Sequence, residues 1–101
     1  MATPGLAGLA AAVARHAAVD GAHDTAVEAL RLYRSSAPSD LAAVVYEPAL
    51  CVVAQGAKEV VLAGGAYRYD PAHCLLASVD MPASARVVEA SPGRPCLMAR
   101  V

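Results

Sequence analysis

Three apolar runs in close succession constrain this chain more than any other feature. YEPALCVVAQG spans Tyr46–Gly56, KEVVLAGGAYRYDP spans Lys58–Pro71, and CLLASVDMP spans Cys74–Pro82. Each has the length and the Val, Leu and Tyr content of a strand, and Gly and Asp-Pro break them apart. Read in order, they form a β-meander of the kind found in small barrels. Within these runs strands are expected at Leu50–Gln55, Lys58–Leu62, Ala66–Tyr69 and Cys74–Val79, and further ones at Leu30–Tyr33, Val44–Tyr46, Arg86–Ala90 and Cys96–Val101. Strand after strand joined by a few residues is the pattern of antiparallel hairpins in a barrel or sandwich.

The first 19 residues behave differently. Leu6, Leu9, Val13 and Ala17 recur at spacings of three and four in an Ala-rich stretch, which predicts a short helix over Leu6–Val19 with Pro4 in its first turn and Asp20-Gly21 as its stop. Such a thin apolar face can pack on a sheet but cannot sustain a helix alone in water. Ala22–Thr25 reads as a polar turn, and Ser35–Asp40 as a loop whose Pro38 excludes a central strand. Asp80–Ala85 reads as a connection, and the expected domains are a helix over 1–19 and a β domain over 20–101. The last run ends without a turn or cap, which leaves a strand in need of a partner and reads as the front part of a longer chain.

Composition narrows the function classes. Trp and Phe are absent, so Ala, Val and Leu must fill the core, and modest stability follows from the small area each buries. The net charge is −1 and the eight basic residues are scattered, which argues against nucleic-acid binding by this segment. Cys51, Cys74 and Cys96 lie in apolar runs and suit reduced thiols packed as small hydrophobes in a cytoplasmic protein. The N-terminal apolar stretch lacks a basic leader and falls short of the ~20 residues that cross a bilayer, so no membrane partner is expected.

Five strings in order carry a resemblance: Asp20-Gly21, LYRSSAP at Leu32–Pro38, YEPALCVVAQGAK at Tyr46–Lys58, YRYDP at Tyr67–Pro71 and SVDMP at Ser78–Pro82. Together, over residues ~20–95, the chain resembles the N-terminal domain of AraC-type transcriptional regulators. The resemblance implies a mainly β fold, a cupin-like antiparallel β-barrel or partial barrel with one short N-terminal α-helix. It also implies an effector-sensing or dimerisation module: an unidentified small-molecule effector, a homodimer, and DNA contacted only through helix-turn-helix units outside this chain. A stand-alone cupin enzyme or sugar-binding protein is the alternative, and a purely structural oligomerisation piece is a third.

The side chains do not supply an enzyme. A cupin metal site needs two His one residue apart with a Glu and a later His, whereas His16, His23 and His73 are far apart in sequence. No metal or cofactor is expected. Neither a nucleophile elbow nor an oxyanion-hole signature is present, and Ala63-Gly64-Gly65 reads as a hairpin turn, not a phosphate cradle. The candidate effector-pocket residues are Gln55, Tyr67, Tyr69 and Arg34. If Cys51, Val53 and Gln55 share a strand face, the Gln55 amide needs a partner, either a ligand or a backbone carbonyl. Tyr67 and Tyr69 share a face, and either line a pocket or close the rim. Asp20, Asp70 and Asp80 are expected to bond nearby backbone N–H groups at turns.

Overall fold

The computed structural model describes residues 4–46, 48–62, 65–71, 73–77 and 81–101. The helix, α1, spans Pro4–His16, and the strands are β1 Gly21–Asp24, β2 Arg31–Ser35, β3 Ala42–Tyr46, β4 Ala49–Gln55 and β5 Ala57–Leu62. They continue as β6 Gly65–Tyr69, β7 Leu75–Ala77, β8 Met81–Glu89 and β9 Cys96–Arg100. All pairings are antiparallel, in two sheets ordered β1-β2-β9-β4-β7 and β3-β8-β5-β6. The fold is mainly β with one short helix, and the two sheets do not close into a barrel.

The expected meander is not what forms. Of the strands in those three runs, β5 and β6 alone pair as a hairpin among the described residues; β4 and β5, separated by Gly56 alone, belong to different sheets. Gly56 has a φ of +84°, and a Cβ built on it meets the Glu89 carbonyl oxygen at 2.5 Å and the Cys96 Cα at 2.9 Å. The chain there crosses between sheets through a gap that only a glycine fits. The Ala63-Gly64 part of the expected hairpin turn lies outside the described residues, although Leu62 and Gly65 pair across it.

Other expectations need correction. Ala22–Thr25 is no simple turn: Gly21–Asp24 forms edge strand β1 against β2. Its residues are mostly exposed on both faces, so it carries no apolar alternation to betray it. The turn follows instead, where the Thr25 hydroxyl accepts from the Val27 N–H at 3.1 Å and lies 3.0 Å from the Leu30 carbonyl oxygen. Strand β8 begins at Met81 and includes Pro82, which pairs with β3 but lies before Ser84, where pairing with β5 begins, so on that side it is a locally unpaired edge. The last strand, β9, lies at the centre of its sheet between β2 and β4. Ser78–Asp80, and with them the end of the expected Cys74–Val79 strand, fall outside the described residues.

Two apolar layers result. Between the sheets lie Cys51 and Val53 of β4, Val60 of β5, Tyr69 of β6, Ala77 of β7, Ala85 of β8, and Cys96 and Met98 of β9. On the opposite face of the five-stranded sheet, Leu32, Ala54, Leu97 and Ala99 meet Ala10, Val13 and Ala17 from the helical segment. Alternation along β9 thus sends Cys96 and Met98 inward and Leu97 and Ala99 to the helix, as period two requires. The outer face of the other sheet is polar: Arg86 reaches Glu59 at 2.9 Å, and Arg68 pairs with Glu89. These exposed ion pairs contribute little to stability.

Candidate functional site

Two cavities flank the five-stranded sheet at the Arg34 end of β2. The outer one, about 470 Å³, lies between the helix and the sheet, lined by Ala10, Ala14, Arg34, Gln55, Arg94 and Leu97 among others. The inner one, about 230 Å³, opens between the sheets and is lined by Tyr33, Arg34, Ser35, Lys58, Cys96 and Met98, with Gly21, Ala22 and Val87 completing it.

Arg34 borders both. Its guanidinium donates to the Ala17 carbonyl oxygen at 3.3 Å and lies 3.6 Å from the Asp20 carboxylate. Asp20 in turn accepts from the Ser36 hydroxyl at 2.7 Å and the Ser36 N–H at 3.2 Å. The backbone partner of Asp20 is therefore sixteen residues away, not local. This small network ties the segment after the helix to β2. Asp70 meets Arg68 and His73 and exchanges backbone hydrogen bonds with His73, while Asp80 lies outside the described residues.

Gln55 joins Arg34 in the outer cavity, its amide donating to the Pro95 carbonyl oxygen at 2.8 Å. A register shift between Val53 and Gln55 breaks the alternation, so Gln55 leaves the inner face on which Cys51 and Val53 lie. Tyr69 and Tyr67 lie opposite Lys58 and Val60 across the β5–β6 hairpin. Tyr69 is buried in the inter-sheet core, whereas Tyr67 is 52% exposed. The structure thus brings together two of the four candidates, Gln55 and Arg34, and holds the two tyrosines on the other sheet.

Lys58 was missed. In KEVVL, Lys58 alternates with Val60 and Leu62, and a cation at an inward position of an apolar face was the signal. Among the described residues no side chain is hydrogen-bonded or ion-paired to its ammonium, and burial pushes its pKa below the ordinary value of 10.5. Cys51 and Cys96 flank it, and burial pushes both thiols above 9.0, with Lys58 drawing them partly back. They are therefore poor nucleophiles at neutral pH. Cys74, expected to be packed, is exposed; all three cysteines are free.

This has a measurable consequence. Lys58→Met removes a charge that has no partner among the described residues from a largely apolar site and is expected to stabilise the domain by ~1 kcal/mol near pH 7. Between the lowered folded-state pKa and 10.5, the unfolded chain holds the Lys58 proton and the folded one does not, so stability rises with pH across that window. Thiols with raised pKa act oppositely, losing stability as pH climbs past 9.0, and more so once Lys58 is gone. Both effects narrow the gap between variant and parent as pH approaches 10.5. Urea titrations at pH 7 and pH 10 check this; a gap that widens contradicts it.

Two facing antiparallel sheets, with a cavity on each side of the five-stranded one and a helix laid over its outer face, make up the β domain. The family model for the AraC-type transcriptional regulator N-terminus matches residues 26–101, and the chain belongs to that family. It is the N-terminal regulatory domain of an AraC-family transcriptional regulator. No curated protein and no solved structure gives a significant match. Among the described residues, no helix is long and apolar enough to cross a membrane, and no three His, Cys, Asp or Glu side chains group as metal ligands.

Proposed function

We propose that this domain senses a small-molecule effector and forms a homodimer, and that occupancy alters how a separate helix-turn-helix part of the regulator meets DNA. In this reading the domain is cupin-like, works in the cytoplasm, needs no metal or cofactor and catalyses no reaction. The helical segment, residues 1–19, and the β domain, residues 20–101, act as its two parts. Gln55 and Arg34 supply polar contacts in the outer cavity, and Tyr67 and Tyr69 shape the facing sheet.

The observation that supports this reading is the position of Arg34, shared by two cavities and bonded to the Ala17 carbonyl oxygen. A molecule that draws on the Arg34 guanidinium competes with Ala17 and Asp20 for it. Occupancy therefore changes how firmly the helical segment is tied to β2. A ligand that binds two such states unequally shifts their populations by its differential affinity.

A thermal-shift panel of sugars, carboxylates, amines and amino acids tests the proposal, with molecular mass followed against concentration. An effector present at a hundred times its Kd adds about 2.7 kcal/mol, which raises the midpoint by on the order of 10–20 °C in a domain of this size. If no compound moves the midpoint while mass rises with concentration, sensing gives way to simple assembly.

A further inference from the structure

We infer that the inner cavity is a binding site for a small organic carboxylate, with the Lys58 ammonium as its charge partner. This goes beyond the sensing reading by assigning a ligand class to the second cavity that Arg34 borders, and it rests on that reading. The argument starts from a position on a strand. Lys58 pairs with Tyr69 on one side and Val87 on the other, and it shares its face with Val60, which is buried in the inter-sheet core. Its ammonium therefore projects between the sheets, into the cavity that Tyr33, Cys96 and Met98 close from the facing sheet.

A cation in such a place needs a counter-charge. The other cation on this cavity, Arg34, has Asp20 and the Ala17 carbonyl oxygen; among the described residues Lys58 has neither carboxylate nor carbonyl. Among the described residues, the titratable groups around it are Cys51 of β4, Cys96 of β9, Tyr33 of β2 and its cross-strand neighbour Tyr69 of β6, with the Arg34 guanidinium on the same cavity, and both cysteine thiols stay protonated at neutral pH. Glu89 of β8 acts on Cys96 and is engaged by Arg68.

Size and lining select the ligand. At about 30 Å³ each, roughly eight non-hydrogen atoms fill the 230 Å³. Val87, Met98 and the Tyr33 ring, over which Arg31 stands at 5.9 Å, provide apolar contact for a short hydrocarbon part. Gly21, Ala22 and Ser35 lie at the same cavity on the β1–β2 edge. A carboxylate headed by a short apolar chain satisfies both halves, whereas a neutral sugar leaves the ammonium without its counter-charge.

The experiment uses sodium butyrate and sodium hexanoate as probes at constant ionic strength, with butyramide and hexanamide as neutral counterparts. Binding is read by thermal shift and by titration calorimetry at pH 7. The carboxylates are expected to bind the parent at least tenfold more tightly than the amides, and Lys58→Met to lose that preference. The variant is expected to fold at least as stably as the parent, so its loss of binding cannot be put down to unfolding. Equal affinity for acid and amide, or carboxylate binding that survives in Lys58→Met, overturns the inference. Absence of carboxylate binding while a sugar or amine shifts the midpoint also overturns it but leaves effector sensing intact. Silence across the whole panel removes both.

Discussion

Gly56→Ala is expected to destabilise the domain by about 2–5 kcal/mol, combining the strain of a positive φ with an overpacked crossing point. At Gly56 the backbone has φ +84°, and the new methyl falls 2.5 Å from the Glu89 carbonyl oxygen and 3.0 Å from the Cys96 Cβ. Neither neighbour yields cheaply: the first is backbone at the end of β8 and the second opens β9. A single domain of this size is commonly stable by only about 5–15 kcal/mol, so the variant is expected to be partly unfolded at 37 °C. Gly8→Ala is the matched control. It adds the same methyl to a helical residue with nothing within 4 Å and is expected to stabilise by ~0.5–1 kcal/mol. Urea midpoints for the two variants therefore move in opposite directions from the parent. Midpoints that move together refute the account of the crossing.

Leu97→Ala is expected to cost about 3 kcal/mol, lowering the melting midpoint by on the order of 10–20 °C. Leu97 is 2% exposed and, with Leu32, is one of the two largest buried side chains of the layer between the helix and the sheet. Its neighbours there are mainly alanines, Ala10, Ala17, Ala54 and Ala99, which have no rotamers with which to fill the void. The cost therefore belongs in the middle of the large-to-small range or above it. Leu76→Ala, at a residue 71% exposed, is expected to change stability by less than ~0.5 kcal/mol. Native-state hydrogen exchange locates the effect: amides of α1 exchange faster in Leu97→Ala, while those of the β5–β6 hairpin follow global stability alone. Uniform acceleration across the molecule contradicts this placement.

The elements were more legible than their partners. The helix announced itself because Val13 and Ala17 fall on the face that meets the sheet, and strands β4, β5 and β9 did so through runs of Val, Leu and Cys. Pairing was hidden because it is decided at a distance. Gly56 looks the same in sequence whether it turns a hairpin or carries the chain to another sheet. What distinguishes the cases is the approach of Glu89 and Cys96, thirty-three and forty residues away. β1 left no trace because an edge strand exposed on both faces has no alternation to read.

The same logic applies to the candidate site. Gln55 was readable as a polar residue in apolar company, but strict alternation put it on the inner face, and the irregularity after Val53 moved it. The odd residue of the inner face was one strand further on. Lys58 sits among valines and a leucine in plain view, and its meaning depended on finding no acid paired with it among the described residues. Two of the three thiols behaved as packed hydrophobes; Cys74 did not, because it precedes the short strand β7 and stands outside the core.

The central strand β9 serves as a partition one residue thick. Its odd and even side chains belong to different compartments, with Cys96 and Met98 bordering the inner cavity and Leu97 and Ala99 supporting the helix. Filling the inner compartment presses on the same backbone that seats the helix outside. In the proposed sensing role, occupancy is broadcast through the pleat to a surface the ligand never touches.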